Sequence, residues 1–365
     1  MSVKLSILDR FLPLWILLAM GFGLLLGNAA PGLSDALDSV KVGSISIPIA
    51  LGLLVMMYPP LAKVRYDKAA EIAADKRLMT VSLILNWLVG PLVMFTLAWL
   101  FLPNDAELRT GLVIVGLARC IAMVLVWTDL SCADREATAV LVAINSVFQV
   151  FMFGVMGWFY LHILPSWLGL ETTSAEFSFW AIVTSVLLFL GIPLLAGVLS
   201  RILGEKFKGR QWYNDVFIPR ISPLALIGLL YTIVLLFALQ GKQISSEPWS
   251  VVKVAIPLFL YFVVMFSVAL VTAKLSGMNY ALVTAKLSGM NYAQAAAVSF
   301  TAAGNNFELA IAVCIGTFGA ASGQALAGTV GPLVEVPVLV ALVYVMLWIG
   351  PKFFAGDATL PQRRG

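Results

Sequence analysis

Ten apolar runs, each close to the roughly 20 helical residues needed to cross a hydrocarbon layer of about 30 Å, fill this chain. They lie at 11–28, 45–62, 79–102, 110–128, 137–164, 179–203, 221–240, 250–272, 294–318 and 328–350. Hydrocarbon offers no partner to a backbone N–H or C=O, so a spanning segment is a helix or belongs to a closed barrel. Continuous runs of this length choose the helix. Hydrophobic residues make up 61% of the chain and charged residues 12%, and the mean hydropathy is +0.98. No soluble 365-residue fold needs so much apolar surface. The expectation is an all-α membrane protein with ten transmembrane helices.

Lys and Arg placement orients such a chain, because positive loops stay in the cytoplasm. The even-numbered connections carry Lys63, Arg65, Lys68, Lys76 and Arg77, then Arg135, then Arg201, Lys206, Lys208, Arg210 and Arg220, then Lys274 and Lys286. Lys4, Arg10, Lys352, Arg363 and Arg364 at the two ends fall on the same side. The opposite side has Lys41, Arg109, Lys242 and Lys253 among Asp35, Asp38, Asp105, Glu107, Glu171, Glu176 and Glu247. Both termini are therefore expected in the cytoplasm, in a multi-pass protein of the plasma membrane. The net charge of +4 reflects this loop bias, and no basic block with interleaved aromatics points to nucleic acid. The first run exceeds a usual signal-peptide core, although Asn28-Ala29-Ala30 is faintly cleavage-like.

Cys120, Cys132 and Cys314 are too scattered for a disulfide framework or a zinc site. On a continuous helix Cys120 and Cys132 would stand about 18 Å apart, so a preformed three-thiol cage is not expected. Nothing in the sequence calls for a cofactor.

Residues 118–155 align with 304–341 without a gap, at a constant offset of 186. Arg119 and Cys120 fall on Asn305 and Asn306, and Asn145 and Gln149 fall on Gly331 and Glu335. Ile47-Pro48-Ile49-Ala50-Leu51 likewise resembles Ser222-Pro223-Leu224-Ala225-Leu226. Helix counting puts the two aligned pairs in opposite orientations, which gives an inverted repeat of five plus five helices, 1–164 and 179–350. Such halves suit alternating access; the competing reading is chance alignment of apolar text. A different repeat is exact: Ala269 to Tyr280 recurs letter for letter as Ala281 to Tyr292. This 269–292 tandem duplication would add about 18 Å if helical, and it is read as a longer cytoplasmic connection between the eighth and ninth helices.

Charge inside a bilayer costs about 2.5 to 3.5 kcal/mol per residue on insertion scales, so it usually faces a cavity or a partner. Arg119, Glu308 and Glu335 are such residues. Arg119 and Glu308 fall near mid-membrane depth in the fourth and ninth helices and could neutralise each other, as a structural ion pair or as part of a site. Gly304-Asn305-Asn306 can interrupt the ninth helix, since Gly and Asn tolerate irregular backbone. Irregular backbone at that depth must be surrounded by protein or line a water-filled cavity. A buried lone Cys is commonly a small hydrophobe, but beside Arg119 the thiolate of Cys120 would be favoured, and thiolates select soft ions. In Glu308, burial favours the neutral acid and Arg119 the charged one, a balance that suits a proton-coupling group. Glu335 is a second proton candidate, with a buried carboxyl making a structural bond as the alternative. Trp99 and Trp127 read as interfacial belt residues, and Asn86 and Asn145 as interhelical hydrogen-bonders. His162, the single histidine, is expected in an outer loop.

Gly116-Leu117-Ala118-Arg119-Cys120-Ile121-Ala122-Met123-Val124 and Gly304-Asn305-Asn306-Phe307-Glu308-Leu309-Ala310 resemble the arsenite efflux permeases of the arsenical-resistance family. That family lies within the bile acid, arsenite and riboflavin transporter superfamily. The resemblance covers essentially all ten helices. It implies export of arsenite, As(OH)3, with Cys120 as the arsenic thiol ligand and Glu308 essential through proton exchange. It also implies the sodium/bile acid symporter fold, in which broken helices 4 and 9 cross between core and panel domains drawn from both repeats. Substrate binding would fall to Arg119, Cys120, Asn306 and Glu308, proton coupling to Glu308 and Glu335, and supporting roles to Asn86, Trp99, Trp127, Asn145, Asn305 and Phe307. Antimonite is a second metalloid left open, and the duplication departs from the family pattern. The rival transporter reading is a sodium-coupled organic-anion symporter, which would leave Cys120 idle. An intramembrane enzyme lacks any H-E-x-x-H, G-x-S-x-G or Asp-rich diphosphate motif.

Overall fold

A computed structural model describes residues 12–30, 32–33, 37, 39–42, 45–64, 74–121, 123–170, 179–246, 248–275, 290–319 and 322–361. Twelve helices carry the described chain. They are α1 (Leu12–Ala29) and α2 (Ile47–Lys63); α3 (Lys76–Phe101); α4 (Ala106–Leu117) and α5 (Met123–Leu130); α6 (Arg135–Trp167), α7 (Phe179–Lys208), α8 (Arg210–Leu239) and α9 (Pro248–Leu275); α10 (Tyr292–Ala303) and α11 (Phe307–Phe318); and α12 (Gly323–Phe353). Strands β1 (Lys41–Val42) and β2 (Ile45–Ser46) pair antiparallel just before α2. Six of the helices, α3, α6, α7, α8, α9 and α12, are long and apolar enough to cross a membrane by themselves.

The outward faces of these helices are apolar: Leu25, Leu100, Phe151, Trp180, Leu195, Phe207 and Trp348 are all exposed. The polar residues Asn86, Arg119, Asn145, Gln149, Asn305, Asn306 and Glu335 are buried. A water-soluble protein would reverse this distribution. α8 packs along α1 and α2, and α7 packs on α2. α9 packs against α3, α10 and α12, while α12 also packs on α4 and α11.

Prolines set the local geometry of four helices. A π-turn occupies Leu85–Val89 in α3, Phe159–Ile163 in α6, Leu187–Gly191 in α7 and Tyr213–Phe217 in α8. In every case a proline, Pro91, Pro165, Pro193 or Pro219, follows the turn by two residues. Proline lacks an N–H and its ring collides with the carbonyl four residues earlier. That carbonyl belongs to Trp87, Leu161, Phe189 or Asp215, the middle residue of each π-turn. Widening the turn moves the carbonyl aside without ending the helix. His162 falls inside one of these turns, so it sits within α6 rather than in the expected outer loop.

The duplicated segment begins inside α9, and its last residue, Tyr292, opens α10; residues 276–289 between them lie outside the described residues. A C-terminal turn closes over the start of α10. Asp357 accepts from the Tyr292 N–H at 2.6 Å and Thr359 from the Ala293 N–H at 3.3 Å, while Phe354 stands edge-on to Tyr292 and beneath Lys274. Partial burial works against the charged Asp357 carboxylate. Bonds from Thr359 and Tyr292, together with Lys274, outweigh it and hold this group below the usual Asp range. A carboxyl depressed on folding contributes stability above its unfolded pKa and loses it as pH falls through the folded value. The protection of the Tyr292 and Ala293 amides, measured relative to their intrinsic exchange rates, is therefore expected to be high at neutral pH and to fall on acidification below about pH 4, and Asp357→Asn should remove that dependence.

α11 and α12 approach closely at Gly331, where a Cβ would overlap the buried Phe307 ring. Overpacking of this kind costs about 1–3 kcal/mol. Gly331→Ala should lower the melting temperature in detergent, whereas Gly21→Ala, with nothing within 4 Å of its new methyl, should not.

Candidate functional site

Two interruptions meet at the centre of the protein. α4 ends at Leu117 and the chain turns helical again at Met123; α10 ends at Ala303 and α11 begins at Phe307. The extended residues between them pair antiparallel, Arg119 opposite Asn305. The Asn306 N–H donates to the Ala118 carbonyl at 3.0 Å. Asn305 Nδ2 donates to the carbonyls of Val115 at 2.8 Å and Ala118 at 3.3 Å, which are the freed acceptors at the end of α4. Backbone groups released by the two breaks thus partner one another.

The groups that face away from this bridge are met by side chains of two long helices. Gln149 of α6 takes the Arg119 N–H on Oε1 at 2.7 Å and gives Nε2 to the Arg119 carbonyl at 3.2 Å. Glu335 of α12, buried, lies near enough to the Asn305 N–H to feel it, without a direct hydrogen bond of ordinary geometry. The new helix starts are capped as well. Asn306 Oδ1 accepts from the Leu309 N–H at 3.0 Å, and the Cys120 sulfur lies 3.3 Å from the Val124 nitrogen. Side-chain acceptors at these positions satisfy donors that a helix N-terminus otherwise leaves free.

Cys120, Asn306 and Glu308 line one cavity of about 160 Å³. Met56, Met57 and Met123 form part of its wall, and Lys63, Asp129 and Arg135 line it too, with Arg135 and Asp129 paired at 3.5 Å. Met57 Sδ stands 4.0 Å from Asn306 Nδ2 and so links α2 to the bridge. The polar lining therefore includes a thiol, an amide and the Glu308 carboxyl, beside Ser222, Lys63 and the paired Asp129 and Arg135. Among the described residues no group of three or more His, Cys, Asp or Glu could hold a metal ion.

Arg119 is elsewhere. Its guanidinium donates to the Tyr261 hydroxyl at 2.9 Å and to the Gly116 carbonyl, and among the described residues it forms no ion pair with Glu308. Gly90 admits it, since a Cβ there would stand 2.8 Å from Nη1. The chain direction at the bridge explains why the expected neutralisation fails: Arg119 and Cys120 are consecutive in an extended segment, so their side chains leave on opposite sides. Cys120 faces the cavity and Arg119 the far face. Asn305, Phe307, Glu335, Asn86, Asn145, Trp99 and Trp127 do not line the cavity either.

The remaining expectations divide. Asn145 accepts from Trp87 Nε1 at 2.9 Å, an interhelical bond. Asn86 instead bonds within α3, to the Ser82 carbonyl and hydroxyl. Trp127 is no belt residue: α5 is an internal helix and its indole is fully buried. Trp99 lies under the Arg109 guanidinium, 3.8 Å from it. Phe307 is buried against Phe262. Sequence reading overlooked Tyr261 and Met57, which carry no local signal; Gln149 was visible only through its alignment with Glu335.

Residues 50–247 match the sodium bile acid symporter family. Over 359 residues, 98% of this chain and 94% of the relative, the sequence is 71% identical to the arsenical-resistance protein Acr3 of Corynebacterium glutamicum. The chain belongs to the sodium bile acid symporter family. Its similarity also extends to the Acr3 protein of Alkaliphilus metalliredigens, 30% identical over 92% of this chain and 91% of the relative. An uncharacterised transporter of Synechocystis is 34% identical over 93% and 88%. In this member of the family the two helix interruptions meet beside a cavity that Cys120 and Glu308 line.

The three thiols differ in setting: Cys132 is exposed, Cys120 is buried but lines the cavity, and Cys314 is buried away from it. A small hydrophilic maleimide should therefore label Cys132 fastest, Cys120 more slowly and Cys314 only after denaturation, as read by peptide mass spectrometry. Labelling of Cys314 ahead of Cys120 in folded protein would contradict the cavity described here.

Proposed function

We propose that this protein is a secondary active transporter that exports arsenite, As(OH)3, across the plasma membrane in exchange for protons. The observation that carries this reading is the cavity that gathers Cys120, Asn306 and Glu308 beside three methionines. Similarity along nearly the whole chain to two proteins named for arsenical resistance supports the same substrate.

The path through the bilayer is read as ten crossings: the six long helices, α1, α2, and the interrupted pairs α4–α5 and α10–α11. Equivalent interruptions 186 residues apart support two five-helix repeats of opposite orientation. Halves of that kind give inward-open and outward-open states of comparable energy. Lys63 and Arg135 lie on the Lys- and Arg-rich side, so the cavity is read as open to the cytoplasm, where both termini are assigned. Arg119, turned toward Tyr261, is assigned to holding α4 against α9.

The chemistry follows from the donor set. The Cys120 sulfur displaces one hydroxyl of As(OH)3; an S–As bond forms, an As–O bond breaks, and the thiol proton leaves with the hydroxyl as water. Attack by water on arsenic reverses the step on the far side, so no net redox change occurs. One thiol rather than three keeps binding weak enough for release, as a transport site requires. Asn306 orients the remaining hydroxyls, and Glu308 takes up and gives off the coupled proton. Moving one charge through 100 mV is worth about 2.3 kcal/mol, enough to bias export by more than tenfold.

Everted membrane vesicles test the reading. At matched expression the parent chain should accumulate arsenite when a pH gradient is imposed, with no requirement for sodium. Cys120→Ser and Glu308→Gln should each reduce the rate by about tenfold or more, the scale expected when an interaction needed for turnover is removed. Undiminished uptake by Cys120→Ser would take the thiol out of the mechanism.

A further inference from the structure

We propose that Glu335 is a positioning residue, the second-repeat counterpart of Gln149, which fixes the Asn305 N–H at the bridge and thereby sets the start of α11. Two independent placements coincide. The offset of 186 that carries Arg119 onto Asn305 also carries Gln149 onto Glu335. In the fold Gln149 meets the Arg119 N–H that points away from the partner strand, and Glu335, buried on the other flank, lies near the corresponding N–H of Asn305. Both side chains come from long, continuous helices, α6 and α12, that flank the two interruptions.

The alternative role for Glu335, carrying a proton between the two faces, needs access to water. Glu335 is 3% exposed, and it does not line the cavity that holds Glu308. Its Oε1 has no hydrogen-bond partner, so at most one oxygen serves the proposed contact with Asn305. An amide oxygen does this equally well, as Gln149 demonstrates on the other repeat. Glu308 and Cys120, both of which line the cavity, are electrostatically coupled to Glu335. Their places depend on the bridge: Asn306, next to the clasped Asn305, caps the turn that presents Glu308. Glu335 thus acts through backbone geometry.

Rescue by the conservative variant separates the two roles. The transport arm rests on the arsenite reading above; the stability arm does not. In everted vesicles Glu335→Gln should move arsenite within about twofold of the parent rate with the same pH profile, and Glu335→Leu should lose about tenfold or more. In detergent, Glu335→Leu and Gln149→Leu should each lower the melting temperature by several degrees, and Glu335→Gln should not. A Glu335→Gln chain that melts like the parent yet loses transport, or its response to pH, would overturn the proposal and make Glu335 a proton carrier. Should the parent itself move no arsenite, the transport reading falls, and the melting temperatures still decide: equal losses in Glu335→Gln and Glu335→Leu would refute the clasp.

Discussion

Unpaired backbone at the centre of a membrane protein is the constraint on which the rest of this structure depends. Breaking a helix frees N–H and C=O groups, and a buried group left without a partner costs about 1–3 kcal/mol. Two breaks placed against each other convert that liability into a joint. Asn306 N–H to Ala118, Asn305 Nδ2 to Val115 and Ala118, and the flanking clasp of Gln149 on Arg119 meet several of the freed groups. The same joint determines which side chains reach the cavity. Extended backbone sends neighbours to opposite sides, so Cys120 faces the chamber while Arg119 reaches Tyr261.

The surrounding helices hold that joint by close packing rather than by ion pairs. Apolar groups gain little from leaving lipid for protein, so association relies on contact and interhelical hydrogen bonds. Gly331 lets Phe307 lie directly on α12, and Gly90 leaves space for the Arg119 guanidinium. The proline-linked π-turns add a second device. In α3 the turn at Leu85–Val89 includes both Asn86 and Trp87, and both are buried in the interior, where Trp87 bonds Asn145 of α6.

A cavity lined by methionines, one thiol, one amide and two carboxyls, Glu308 and Asp129, is the setting that the proposed neutral, thiophilic solute would meet. Hard cations are better served by clustered carboxylates and carbonyls. The charged groups Lys63, Asp129 and Arg135 line the cavity too, but Cys120 and Asn306 lie together at the bridge. On the proposed reading, a soft contact that forms and breaks easily is what would let the site release its solute.

Sequence alone determined the helical, membrane-spanning class, because apolar length and the backbone's need for internal partners leave no other solution. It also located the two interruptions, through Gly304-Asn305-Asn306 and the aligned Arg119-Cys120, and it singled out Cys120 and Glu308. Its π-turns were legible in principle, since each is tied to a proline two residues on. Only the tertiary structure decided what each polar side chain faces. Arg119 meets a tyrosine hydroxyl from a helix 142 residues away, Trp127 turns inward on a short internal helix, and Met57 comes into the cavity from α2. Contacts between segments so distant in the chain depend on how helices cross, and helical periodicity gives the face of a residue without naming the neighbour that will cover it.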